Sequence, residues 1–430
     1  MIKILDCASV SRDEIFARGM TSASPAVVAA VDGILADVRE NGDRAVLEYT
    51  EKFDGVKLDS LRVSSEEMES ALSRVSPEFL DILRKSADNI REFHRNQVRS
   101  SFVVTKEDGI ILGQRVLPME RVGLYIPGGR ASYPSSVLMN AIPAALAGVK
   151  NIIMVSPPDK SGHIADPVLA AAYVAGVTDI FKMGGAQAVA ALAYGTQSVP
   201  KVDKIVGPGN IFVAVAKQKV YGLVDIDMIA GPSEILVIAD RGASPVHVAA
   251  DLLSQAEHDP MASAVLVCDS MVLANAVSVE LERQIPLLPK AEIARSSIDS
   301  NGKIIVASDL SEGISIANEI APEHLELCVE EPFRYLDSVK NAGSVFLGRY
   351  APEALGDYWA GPNHTLPTLG TARFSSPLSV DEFVKRSSFI YYTKDALGKV
   401  KDDIASFAAA EQLQAHANSV TIRFESEAQS

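Results

Sequence analysis

The stretch Asp179-Ile180-Phe181-Lys182-Met183-Gly184-Gly185-Ala186-Gln187-Ala188-Val189-Ala190-Ala191-Leu192-Ala193-Tyr194 sets the fold class. Its short apolar run at 179–181 reads as a strand, Gly184-Gly185 as a tight turn and 185–195 as an alanine-rich helix. Similar units lie on both sides. Working outward, strands are expected at 122–126, 151–155 and 204–206, then at 234–239, 264–268, 303–306, 324–329 and 344–347. Helices are expected between them at 166–176, 244–257 and 309–320. The strands are continuous apolar runs, the pattern of a parallel sheet covered by helices on both faces. The expectation is an α/β protein with two successive wound units, punctuated by Ile126-Pro127-Gly128-Gly129 and Ala230-Gly231-Pro232-Ser233. Residues 25–100 read as helical and charged. The tail from about 380 carries a helix pattern at 401–415 and a strand-like run at 419–424. No short-period repeat is present.

With 430 residues, 47% of them hydrophobic and 22% charged, the chain is long enough for two or three packed units. A formal charge of −15 and no basic patch argue against nucleic acid as a partner. Met1-Ile2-Lys3-Ile4-Leu5-Asp6 lacks the basic and apolar regions of a secretory signal, and alanine-rich runs such as 141–148 are too short to span a bilayer. Three cysteines, Cys7, Cys268 and Cys328, are widely spaced, which favours a reducing, cytoplasmic setting over a disulfide framework.

No G-x-G-x-x-G follows any expected strand, so a standard dinucleotide fingerprint is absent. Three other glycine turns take its place: Gly128-Gly129, Gly184-Gly185-Ala186-Gln187 and Gly207-Pro208-Gly209-Asn210. Each joins an expected strand to a helix, where backbone N–H groups can hold an anion, although glycine can also serve only to let the chain turn. Gln255 and His258 are three residues apart, so they share a helix face; a capping histidine is the bland alternative. Glu323-His324 stands at the amino end of an expected strand, as an acid–base pair or as a cap beside a surface imidazole. The densest polar segment is 356–368, Gly-Asp-Tyr-Trp-Ala-Gly-Pro-Asn-His-Thr-Leu-Pro-Thr, which holds Asp357 and His364 in an irregular loop. Glu411 and His416, taken alone, read as solvated surface. Cys328 could in principle carry a thiohemiacetal, but its apolar neighbours mark it as core.

Taken together, these segments resemble the histidinol dehydrogenase family over essentially the whole chain. The resemblance rests on Tyr125-Ile126-Pro127-Gly128-Gly129, the glycine turns at 184–187 and 207–210, Gly231-Pro232-Ser233-Glu234 and Gln255-Ala256-Glu257-His258-Asp259. It continues through Ala321-Pro322-Glu323-His324-Leu325-Glu326, Gly356-Asp357-Tyr358 and Gly361-Pro362-Asn363-His364. The resemblance implies two Rossmann-like units of aldehyde-dehydrogenase-like type in an intertwined homodimer. It implies a catalytic domain of 25–125 with 234–378, a second domain of 126–233 contributing to NAD binding, and arms at 1–24 and 379–430, the latter reaching the partner subunit. It further implies Zn²⁺ on Gln255, His258, Asp357 and His416, and proton transfer by Glu323 and His324. Substrate contacts would fall at Ser233, Gln255, His258, His324, Asp357, His364, Glu411 and His416, and NAD contacts at Tyr125, Gln187 and Asn210. The implied reaction takes L-histidinol to L-histidine through the aldehyde in two NAD-linked oxidations. The rival readings are an aldehyde dehydrogenase using Cys328 and a nucleotide- or metal-binding protein without turnover.

Overall fold

The computed structural model describes residues 1–16, 23–128 and 132–425, so Gly129 in the first glycine turn lies outside the described residues. Contacts divide the chain into two units: 1–98 with 119–383, and 99–118 with 384–430. In chain order the strands are β1 (Lys3–Asp6), β2 (Phe102–Thr105), β3 (Ile111–Pro118), β4 (Arg121–Tyr125), β5 (Asn151–Ser156), β6 (Asp179–Lys182) and β7 (Lys204–Val206). They continue as β8 (Asp225–Ile226), β9 (Glu234–Ala239), β10 (Ser263–Cys268), β11 (Lys303–Val306), β12 (His324–Cys328), β13 (Ser344–Leu347) and β14 (Val384–Tyr391). Every strand expected between 122 and 347 forms, its ends shifted by one residue at most.

The first unit holds two parallel sheets, ordered β6-β5-β4-β7-β8 and β1-β11-β10-β9-β12-β13. Helices cover both faces of each, which is why the strands are apolar throughout. In β4, Val122 and Leu124 pack against the Pro134–Ala147 and Asp166–Ala175 helices, while Tyr125 joins the core beneath Gly185–Tyr194 and Ile211–Val220. In β12, Cys328 packs on the face covered by the Pro245–Ala256 helix, and Leu325 and Leu327 on the opposite face. Alternation along the strand therefore puts His324 and Glu326 on the Cys328 side.

From β4 the chain steps outward through β5 and β6, then returns to lay β7 and β8 on the other side. The carboxyl ends of β4 and β7 thus flank a topological switch point, the place where open α/β sheets take ligands. Gly207 follows β7 with φ +115°, and a Cβ there would stand 2.0 Å from the Tyr125 carbonyl oxygen. Only glycine lets these strand ends close up. Its peptide groups are clamped: Lys217 Nζ donates to Gly207 O at 2.9 Å, and Gly207 N–H donates to Asp227 Oδ2 at 2.7 Å. Lys217 and Asp227 also pair directly, with side chains only 2% and 1% exposed. Lys217→Met would leave Asp227 buried without a countercharge, so a loss of about 3–5 kcal/mol is expected. The urea-unfolding midpoint measures it, and an unchanged midpoint would refute the clamp.

The second unit is an antiparallel sheet, β14-β3-β2, with helices Lys394–Ala410 and Gln414–Thr421. Here two expectations are corrected. The helix expected at 401–415 starts earlier and ends at Ala410, because Gln412 adopts the left-handed conformation, φ +62°. The strand-like run at 419–424 is helical, ending in a 3-10 turn at Ile422–Phe424. Its polar side chains bond within the helix: Ser419 Oγ donates to His416 O at 2.7 Å, and Gln414 Nε2 donates to Asn418 Oδ1 at 2.9 Å. Apolar alternation over so few residues also places Val420 and Phe424 four apart, on one helical face. No helix among the described residues is long and apolar enough to cross a membrane.

Candidate active site

The site is assembled at the amino ends of β9 and β12. The Leu310–Ile320 helix closes on Ala321, whose backbone is left-handed at φ +50°, and Pro322 then forces the chain into β12. A non-glycine residue in that conformation costs roughly 1–2 kcal/mol. It delivers Glu323 and His324 to the sheet edge. Gly343 admits the close approach that holds them, since a Cβ there would lie 2.5 Å from the Glu323 carbonyl oxygen. The Gly343 and Ser344 N–H groups donate to Pro322 O and Glu323 O at 3.0 and 2.9 Å.

His324 is 4% exposed. Its Nδ1 lies 3.0 Å from the Glu234 carbonyl oxygen and 3.0 Å from the side-chain amide of Gln255. A carbonyl can only accept, so the contact with Glu234 assigns the ring hydrogen to Nδ1; the Gln255 amide, whose Nε2 is placed against that nitrogen, is assigned the turned-over orientation with its oxygen towards it. His324 Nε2 therefore keeps its lone pair. It is buried without a hydrogen-bond partner, 3.9 Å from Glu353 Oε1. Glu323 Oε2 accepts the Glu234 N–H at 2.8 Å and stands 3.7 Å from His324 Nδ1. Burial pushes the Glu323 carboxyl up to about 8, against the opposing pull of His324 and the Glu234 amide. Burial works against a charged His324, but Glu323, Glu353 and Asp357 outweigh it and raise the ring above its ordinary value.

Glu353 and Asp357 lie four apart on the short Glu353–Tyr358 helix, hence on one face. Ligand atoms of His324, Glu353 and Asp357 come within 4.8 Å of one another. Asp357 Oδ1 is 3.3 Å from His364 Nδ1. Burial would raise this carboxyl, but the bond to His364 and the charges of His364, His324 and His258 prevail and hold it down to about 2. His364 Nε2 is 3.3 Å from Ser136 Oγ. Gln255 sits in the last turn of Pro245–Ala256, and His258 follows just beyond it. The fold thus gathers Gln255, His258, Glu323, His324, Asp357 and His364 in one place. Ser233 immediately precedes Glu234, whose backbone holds both Glu323 and His324. Glu411 and His416 are exposed in the second unit. Sequence reasoning passed over Glu353, although the Glu-x-x-x-Asp spacing after Pro352 could have found it. The Glu234 backbone carbonyl left no signal at all.

At the other sheet, Tyr125 ends β4, and its hydroxyl accepts the Gly185 N–H at 3.0 Å. Burial pushes that phenol up to about 12. Gln187 is buried, and its Oε1 lacks a partner. Asn210 is exposed, and its Oδ1 caps the Ile211–Val220 helix, accepting from Phe212 N and Val213 N at 3.0 and 3.2 Å.

A sequence model of the family described as histidinol dehydrogenase matches residues 17–424. The chain belongs to the histidinol dehydrogenase family. A histidinol dehydrogenase of Geobacillus kaustophilus is 58% identical over 396 residues, 92% of this chain and 93% of that protein. One from Listeria innocua is 53% identical over 415 residues, covering 96% and 97%. A crystal structure of histidinol dehydrogenase from Elizabethkingia anophelis superposes with a TM-score of 0.93 at 39% identity, covering 99% of this chain and 98% of that one.

Within this histidinol dehydrogenase framework Cys328 has no chemical part to play. It is buried at the far end of β12, and burial, with Asp251 and Glu326 adding to it, pushes its thiol up to about 12. A thiol so held is not a nucleophile at neutral pH. Cys328→Ala is expected to retain turnover, and complete loss of activity in a folded variant would restore the cysteine mechanism.

Proposed function

We propose that the chain oxidises L-histidinol to L-histidine through the aldehyde, using NAD twice. The observation that carries the reading is the buried lone pair of His324 Nε2, its tautomer set by the Glu234 carbonyl, beside Glu323 and facing Glu353. A proton acceptor held in one tautomer is what the removal of hydroxyl hydrogens requires.

The proposed ligands also suit a divalent cation: an imidazole nitrogen from His258, an amide oxygen from Gln255 and a carboxylate oxygen from Asp357, which lies in the cluster with His324 and Glu353. Gln255, His258 and Asp357, with His416 of the partner subunit, would hold Zn²⁺. Bound there, the ion would supply a positive charge that orients and polarises the amino alcohol. The chain's own residues handle position and protons. Ser233, His364 and Glu411 of the partner subunit contact the substrate along with the metal ligands and His324. His324 Nε2 takes the hydroxyl proton of the alcohol, and later that of the aldehyde hydrate. Glu323 takes a proton from the water that adds to the aldehyde. NAD supplies the hydride acceptor in both oxidations. Its place is the crevice between the ends of β4 and β7, contacted by Tyr125, Gln187 and Asn210, where the unpartnered Gln187 Oε1 is an acceptor in want of a donor.

A homodimer, with 1–24 and 379–430 as arms on domains of 25–125 plus 234–378 and 126–233, is supported by the edge strand β2. Its Phe102, Val103 and Val104 are 54%, 60% and 45% exposed, more apolar edge than a lone sheet tolerates well. The three free cysteines suit a reducing cytoplasm. The deciding measurement mixes L-histidinol with NAD⁺ and counts NADH formed per substrate consumed. Two is expected; one would mean a plain alcohol dehydrogenase, and none would mean a binding protein.

A further inference from the structure

Asn140 is fully buried in the Pro134–Ala147 helix and is bonded on one side only. Its Oδ1 accepts the hydroxyl of Thr365 at 3.1 Å, whereas its Nδ2 has no partner. A buried donor left unpaired costs about 1–3 kcal/mol, so its retention calls for a reason. The position of that nitrogen provides one. It lies 3.3 Å from where a Cβ on Gly207 would stand, and the same point is 2.0 Å from the Tyr125 carbonyl oxygen. The free amide therefore abuts the switch-point turn, with a backbone acceptor close by.

The other end of Asn140 leads to the proton-transfer site. Thr365 adjoins His364, which bonds with Asp357 and approaches Ser136, four residues before Asn140 on the same helix face. The loop is fastened further by Asn363. Its Nδ2 donates to Met139 O at 2.6 Å, and its Oδ1 accepts the Thr365 N–H at 2.9 Å. One helix thus places an amide beside the turn after β7 and bonds the His364 loop through three groups, Ser136 Oγ, Met139 O and Asn140 Oδ1.

We propose that Asn140 is a positioning residue coupling the nucleotide crevice to the substrate side of the site. With the crevice filled, Asn140 Nδ2 donates to the Tyr125 carbonyl, which already stands against the Gly207 turn. The amide, now held at both ends, fixes Thr365 and with it His364. Nucleotide and amino alcohol then bind cooperatively, because the first to arrive orders what the second must contact. This rests on the placement of NAD and substrate proposed above.

The test measures the affinity for L-histidinol with and without NADH, which cannot oxidise it, on the zinc-loaded enzyme. NADH is expected to tighten histidinol binding by about fivefold or more. Asn140→Leu and Thr365→Val should each abolish that factor, and the double variant should do no more than either alone. Thr365→Ser, which keeps the hydroxyl, should restore it. A merely structural role would weaken both ligands and leave their coupling intact. Persistence of the factor in Thr365→Val, or its absence from the wild type, overturns the proposal. Photolabelling with 8-azido-NAD separates the two levels: labels in 121–128 and 204–210 with coupling unaffected sink only the role of Asn140. Labels confined elsewhere sink the placement of the nucleotide itself.

Discussion

His324→Ala is expected to lower the rate of both oxidations by about 10²–10⁴-fold, the usual worth of a positioned proton acceptor. Both should fall because the same nitrogen serves both steps: Nε2 is the buried, unpartnered face of a ring whose Nδ1 is committed to Glu234. The fold should survive. β12 is held through its backbone to β9 and β13, with His324 opposite Ile235 and Ser344, and those pairings need no side chain. Initial rates with histidinol and with histidinaldehyde, alongside a thermal melt, measure the effect. A folded variant that keeps wild-type turnover in either oxidation would remove His324 from the chemistry.

Glu323→Gln is expected to separate the two oxidations. The amide oxygen can still accept the Glu234 N–H, bonded at 2.8 Å in the parent, so the loop stays in place. What is lost is a group able to take a proton from water. Aldehyde oxidation should fall by about 10²–10⁴-fold, and alcohol oxidation much less. The pH profile gives an independent sign. A proton acceptor works only when deprotonated, and burial places the Glu323 carboxyl at about 8. Aldehyde oxidation by the parent should therefore climb as pH rises through that value. In Glu323→Gln the climb should flatten, because the group that loses the proton has gone. Equal loss of both oxidations, or an unchanged alkaline rise, would assign the water-activating role elsewhere.

Much of this was legible along the chain. Each parallel strand announces itself as an apolar run, because burial on both faces is a local demand on composition. The turns at 184–187 and 207–210 are equally local, and so is the pairing of Glu323 with His324. The tail was misread for a corresponding reason: over 419–424 the period of two and the period of four pick out overlapping residues, and only neighbouring backbone decides between them. The structure supplied no strand partner there and bonded the polar side chains along a helix.

Sequence alone thus determined the α/β class, the family and the inventory of reactive side chains, since each is written in short-range pattern or in motifs of fixed order. Tertiary structure decided what those side chains are able to do. The tautomer of His324 is set by a carbonyl ninety positions away, brought within 3.0 Å by the parallel register of β9 and β12. Glu353 gains its importance only where its helix meets the end of β12, and Asn140 only where a turn and a loop from distant parts of the chain close on one amide. Proton affinity and hydrogen-bond partnership depend on distance and burial in space, and chain order carries neither.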